Sequence, residues 1–138
     1  MPVKPSTRIA LRWTDNLAFD VIAGDRHIVT DGDSRLGLSP VELLGASLAA
    51  CMGADVAHIL MRGRQPLTSL DVTLSADRAD TDPHRFVRIR VHVAVSGAVS
   101  PAQLERAVAL SHEKYCSVWH SMRQDIPLEL TSTVTHAA

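Results

Sequence analysis

The sequence predicts one α+β domain in which helices pack against one face of a mainly antiparallel sheet. Three observations carry this prediction. A long apolar run of helix-forming residues extends from Ser39 to Arg62, and stretches of alternating polar and apolar residues lie on both sides of it. The chain has 138 residues, which is enough for one domain with its own core.

The chain before the apolar run predicts three short strands. Residues Ile9 to Trp13 and Leu17 to Ile22 alternate loosely, and Asp15-Asn16 between them is typical of a hairpin turn. His27 to Thr30 predicts a third strand, and the segment that follows, up to Leu38, is expected to be a loop.

The start and the end of the long helix are marked in the sequence. Ser39 and Pro40 supply an N-cap and a first-turn proline, and Glu42 completes an S-x-x-E capping box. Gly63 is placed to end the helix. A helix that is apolar on nearly every face is expected to be buried, either in a protein core or in a membrane. Asp55 and His58 would be costly in a membrane, so we predict a central core helix.

The second half of the chain predicts two strands, a helix pair and a last strand. Leu67 to Ser75 and Phe86 to Val95 alternate with a period of two. Ser100-Pro101 predicts the start of a second helix, and a short helix follows up to about Gln124. Ile126 to Leu130 alternates into the final strand.

Composition limits the classes of function. Fourteen basic and fifteen acidic residues give a net charge of -1, and 4% of residues are aromatic, so neither nucleic acid nor an anionic membrane is an expected partner. The N-terminus lacks the apolar core of a signal peptide, so a cytoplasmic location is expected. The two cysteines lie 65 positions apart and form no CxxC pair, which favours free or transiently oxidised thiols.

Both cysteines are candidate reactive groups, and each also has an inert interpretation. Cys51 lies inside the core helix, where a cysteine often acts as a small apolar residue. Cys116 lies at a junction of two helical segments, where a helix N-terminus favours a thiolate.

Other polar residues near the two cysteines leave further alternatives open. Asp55 and His58 share a helix face with Cys51, as a nucleophile arrangement or, more simply, as a buried polar pair or a subunit-contact face. His112 and His120 flank Cys116 at a spacing of four, which is typical of zinc ligands, although no fourth ligand is evident.

Four motifs together resemble the OsmC/Ohr family. They are S-P-x-E-L-x-x-A-x-x-A-A-C, C-x-x-x-D-V at residues 51–56, G-R-Q at residues 63–65, and E-K-Y-C-S-V at residues 113–118. The resemblance extends from about Arg8 to Thr133. Within the family, the chain resembles a less characterised OsmC-like branch. It implies a single OsmC-like domain over residues 1–138, with the antiparallel sheet packed on the central helix, in an intertwined homodimer.

The resemblance also implies an activity. Proteins of this family reduce organic hydroperoxides in oxidative-stress defence, without a metal or other cofactor. Cys51 would be the thiol that attacks the peroxide, and Cys116 would resolve the sulfenic acid as a disulfide. A dithiol partner would then reduce that disulfide.

Two departures from the family pattern bear on this activity. The catalytic glutamate of the family directly follows the helix-start proline, and Val41 occupies that position here. Glu42 lies about half a turn out of phase with Cys51, which favours its role in the capping box.

No early Gly-Arg segment supplies the activating arginine, and Arg12, Arg26 and Arg35 are the arginines nearby. The alternative function is therefore a non-catalytic protein that binds a small apolar ligand in the dimer cleft.

Overall fold

A computed structural model describes residues 3–135 and confirms the predicted α+β class. These residues divide between Leu44 and Gly45 into two compact units. The predicted single domain over residues 1–138 stays a prediction, and residues 1–2 and 136–138 lie outside the described part. In chain order, the elements are β1 (Ala10–Asp15), β2 (Ala18–Ala23), β3 (Arg26–Asp31), α1 (Pro40–Arg62), β4 (Leu67–Arg78), β5 (Phe86–Gly97), α2 (Pro101–Leu110), a π-helical turn (Ser111–Tyr115), α3 (Ser117–His120) and β6 (Leu128–Thr135).

Strands β1, β2 and β3 form an antiparallel sheet in the first unit, which we name sheet 1. All three strands were predicted from the sequence. The turn between β1 and β2 places Asn16 at a φ of 47°, a conformation that asparagine tolerates better than most residues. The Trp13 indole N–H donates a 2.7 Å hydrogen bond to the Asn16 carbonyl and so closes the hairpin.

Helix α1 starts with the predicted capping box. The Ser39 backbone N–H donates to Glu42 Oε1 at 2.9 Å, and the Glu42 N–H donates to Ser39 Oγ at 3.1 Å. Ser34 Oγ donates to the same Glu42 oxygen at 3.2 Å. These hydrogen bonds stabilise the ionised carboxylate and lower the pKa of Glu42, first through the Ser39 backbone.

Strands β4, β5 and β6 form the sheet of the second unit, sheet 2, with β5 in the centre. β4 and β5 are antiparallel, which agrees with the alternation of polar and apolar residues along both strands. β5 and β6 are parallel, with Ile89 opposite Leu128. A parallel pair needs a long crossover connection, which α2, the π-helical turn and α3 provide here. The direction of β6 is therefore a feature that strand periodicity alone did not predict.

One face of α1 packs closely on sheet 2. A Cβ added to Gly53 would lie 3.1 Å from the Val72 side chain, and one added to Gly45 would lie 3.3 Å from Leu74. Glycine at these two positions lets the helix approach the strand. The larger apolar residues that are at most 1% exposed in this core are Leu48, Met52, Val56, Leu60, Ile89, Val91, Val93, Val95, Val99 and Leu104.

The opposite face of α1 is exposed in the single chain. Ala50, Ala54, His58 and Met61 all lie on it, with Met61 61% exposed. By length and composition α1 also qualifies as a candidate membrane span, and 33% of its most apolar window is buried in the protein. The contacts with sheet 2 favour a core helix.

Candidate functional site

Cys116 is positioned by the change of helical form after α2. The Cys116 backbone N–H donates to the Ser111 carbonyl at 2.8 Å, which closes the π-helical turn. Cys116 itself has extended backbone angles and is the N-cap of α3. Its Sγ accepts a 3.3 Å hydrogen bond from the Trp119 backbone N–H. The predicted position at a helix junction is therefore observed, and the side chain is 0% exposed.

The structure brings Cys51, Asp55 and Cys116 together. The two Sγ atoms and a carboxylate oxygen of Asp55 all lie within 4.8 Å of one another. Cys51 and Asp55 are half-buried and are four residues apart on α1, so their side chains lie one above the other on the same face. Both cysteines are free thiols in this structure.

Ser111 is part of this site and was not singled out from the sequence. Its Oγ donates a 2.8 Å hydrogen bond to Asp55 Oδ2, and the serine is 0% exposed. One alternative from the sequence was a buried polar pair of Asp55 and His58, but His58 is exposed. A signal was present in the sequence, because Ser111 continues the apolar stripe of Leu104, Ala107 and Val108, and a polar residue in such a stripe needs a buried partner.

The environment keeps the Cys116 thiol protonated at neutral pH. Burial raises the pKa of Cys116 from its ordinary value of 9.0 to about 11, and the hydrogen bond and charge of the neighbouring Cys51 act in the same direction. The hydrogen bond from the Trp119 N–H acts in the opposite direction and is outweighed. Cys116 is thus suited to donate its S–H proton rather than to act as the first nucleophile.

The two histidines near Cys116 make other contacts. Nε2 of His120 lies 2.9 Å from the His112 carbonyl oxygen, and the ring of His112 packs against Trp119 at 5.9 Å between centroids. Between residues 3 and 135, the three side chains whose ligand atoms lie close enough to share one metal ion are Cys51, Asp55 and Cys116. The alternative zinc set of His112, Cys116 and His120 does not form such a group there.

Comparisons with known proteins agree on one family. The family model described as "OsmC-like protein" matches residues 30–131. Protein YhfA of Escherichia coli (strain K12) is 34% identical over 130 residues, which are 92% of each chain.

Solved structures have the same fold. The crystal structure of a hypothetical protein from Aquifex aeolicus VF5 has a TM-score of 0.91 and 29% identity, with 98% of this chain and 100% of that chain covered. An organic hydroperoxide resistance protein OsmC from Legionella pneumophila has a TM-score of 0.71 and 19% identity, with coverages of 95% and 100%. At 19% identity the second likeness shows the fold alone.

Proposed function

The chain belongs to the OsmC-like protein family, and from this premise we propose that it is a thiol-dependent reductase of organic hydroperoxides. Cys51 and Cys116 are its proposed reacting residues. The observation that carries the proposal is the approach of their Sγ atoms to within 4.8 Å. Thiol peroxide chemistry needs a reachable nucleophile and a second thiol beside it.

The two cysteines have different proposed roles because their exposure differs. Cys51 is half-buried, so a small hydroperoxide reaches its sulfur more readily than that of Cys116, which is 0% exposed. The Cys51 thiolate attacks the O–O bond, forms a sulfenic acid and releases the alcohol after protonation. The Cys116 thiol then displaces water from that sulfenic acid and forms the disulfide. One hydroperoxide and two thiols thus give one alcohol, one water and one disulfide.

A dithiol reductant closes the proposed cycle. Its thiolate attacks the disulfide, forms a mixed disulfide and then returns both cysteines to thiols as it is oxidised itself. The predicted role in oxidative-stress defence and the cytoplasmic location belong to this proposal, since reducing conditions regenerate the pair.

We also propose that the chain acts as a homodimer. The face of α1 that carries Ala50 and Ala54 is exposed in the single chain. In sheet 1, Leu11, Trp13 and Ile28 are 57%, 64% and 52% exposed. Apolar surface of this extent on each unit favours a protein partner, and small residues on a helix allow a close approach.

The proposal is tested by adding one equivalent of cumene hydroperoxide to the reduced protein. We expect both thiols to disappear from a titration, a Cys51–Cys116 disulfide to appear in a peptide map, and one equivalent of the alcohol to form. Cys116→Ser should instead leave a sulfenic acid on Cys51 that dimedone traps, whereas Cys51→Ser should leave Cys116 a free thiol. Two titratable thiols after the peroxide addition would refute the proposal and favour the non-catalytic ligand-binding alternative.

A further inference from the structure

We propose that Cys51, Asp55 and Cys116 also form a site for one divalent, thiolate-preferring cation, with Zn²⁺ as the best-fitting ion. While bound, the cation holds both sulfurs and so protects them from oxidation. The site itself is independent of the hydroperoxide activity, and its protective effect rests on the function proposed above. The thiol chemistry proposed above uses the two cysteines, and the metal site adds the Asp55 carboxylate beside them.

The separations between the ligand atoms fit a zinc ion after a small adjustment. Zinc binds thiolates at about 2.3 Å and carboxylate oxygens at about 2.0–2.2 Å in tetrahedral sites, so ligand atoms around it lie roughly 3.5–3.8 Å apart. The three atoms here are all within 4.8 Å of one another. Each pair needs to close by about 1.3 Å at most, which side-chain rotation supplies.

The donor set selects a metal of this class. Two soft thiolates favour zinc over magnesium or calcium, which prefer sites made of oxygen ligands. Cys51 and Asp55 are four residues apart on α1, a spacing that presents both side chains to one ion. Three protein ligands leave the fourth tetrahedral position open for water or a small-molecule thiol.

Neighbouring hydrogen bonds already hold two of the three ligands. Ser111 Oγ–H donates to Asp55 Oδ2 at 2.8 Å, and this bond leaves most of the acceptor capacity of the carboxylate available. The Trp119 N–H donates to Cys116 Sγ at 3.3 Å, a contact that persists with a thiolate. Such outer contacts orient metal ligands and commonly change affinity 10–100-fold when removed.

The number of thiolate ligands distinguishes this site from the alternative set of His112, Cys116 and His120. Zn²⁺ binds cysteine as a thiolate, so the proposed site holds two thiolates, and each thiol that is protonated before binding gives its proton to the buffer. A site made of His112, Cys116 and His120 would hold one thiolate, because its other two ligands are imidazoles. The cation enters past Cys51 and Asp55, which are half-buried, and Cys116 closes the inner side.

The direct test is calorimetric titration of the reduced protein with Zn²⁺ in two buffers of different ionisation enthalpy. We expect one site, release of thiol protons to the buffer, and with Cd²⁺ an ultraviolet charge-transfer band of two thiolates. Cys51→Ser should halve the band. Asp55→Asn should weaken binding at least tenfold, and His120→Gln should bind as the wild type does.

Three results would overturn the site: no binding of Zn²⁺, an unchanged Cd²⁺ band in Cys51→Ser, or loss of binding in His120→Gln. Circular dichroism of each variant shows that it is folded, and the Cd²⁺ band of Cys51→Ser decides the matter if Asp55→Asn is unfolded. The protective effect is tested by adding cumene hydroperoxide to the zinc-loaded protein, before and after a chelator. We expect the Cys51–Cys116 disulfide only after the chelator. If the metal-free thiols stay inert to peroxide while Zn²⁺ binds, the proposed function fails and the metal site stands.

Discussion

Ser111 Oγ donates a 2.8 Å hydrogen bond to Asp55 Oδ2, so one buried hydroxyl connects α1 to the π-helical turn 56 positions later. The carbonyl of the same serine accepts the Cys116 backbone N–H at 2.8 Å. Asp55 lies one helical turn after Cys51. We therefore expect Ser111 to help fix the distance between the two sulfurs, although it contains no reactive group itself.

Replacing Ser111 by alanine should lower both stability and the rate of disulfide formation. The half-buried Asp55 carboxylate would lose the hydrogen bond that Ser111 Oγ donates, which lowers the free energy of unfolding by about 1–3 kcal/mol. Urea unfolding measures this loss, and stopped-flow oxidation by one equivalent of hydroperoxide measures the rate. Ser75→Ala, an exposed serine on β4, is the matched control and should change neither. A destabilised Ser111→Ala that still forms the disulfide at the wild-type rate would contradict the positioning role.

Local sequence patterns predicted the helices and strands, but they could not predict contacts between residues that are far apart in the chain. The capping box of Ser39 and Glu42 is contained in four residues, and the alternation of β5 in ten, so both were visible in the sequence. β4 extends beyond the predicted Ser75 to Arg78 because it continues to pair with β5. The Ser111–Asp55 bond and the parallel pairing of β6 depend on how the crossover folds back, which no periodicity encodes.

The stability of the reduced protein should fall between about pH 9 and pH 11 because of Cys116. The pKa of Cys116 rises from its ordinary value of 9.0 to about 11 in the folded protein, chiefly through burial. In this window the unfolded chain loses the proton and the folded chain keeps it, so the unfolded state binds fewer protons and stability falls as pH rises. At pH 10 we expect a loss of about 1 kcal/mol relative to pH 8 from this group.

The contribution of Cys116 is isolated by comparison with Cys116→Ala under a thiol-free reductant. Lysine and tyrosine residues also titrate in this range, but their contribution is common to both proteins and cancels in the difference. Urea unfolding at pH 8 and pH 10 gives the two free energies for each protein. An equal fall in both would mean that Cys116 titrates in the fold as it does in the unfolded chain.

Glu42 should act in stability and not in catalysis. Its carboxylate accepts the Ser39 N–H at 2.9 Å, and glutamine preserves this capping-box contact. We expect Glu42→Gln to retain most of the stability, and Glu42→Ala to be less stable because the Ser39 N–H loses its acceptor. Both should give the same disulfide yield with hydroperoxide when folded. A Glu42→Gln protein that is as stable as the wild type yet inert to peroxide would assign the carboxylate a chemical role.

A charge on the exposed face of α1 should separate the proposed homodimer. Ala54 lies on this face, next to the half-buried Asp55, and an arginine there would have to be buried without a partner in a close helix contact. We expect Ala54→Arg to shift the mass measured by light scattering from two chains to one. Ala109→Arg, which changes an exposed alanine on α2, is the matched control and should leave the dimer intact. Dimers of equal stability in both variants would place the contact on another surface, and a wild-type mass of one chain would refute the dimer.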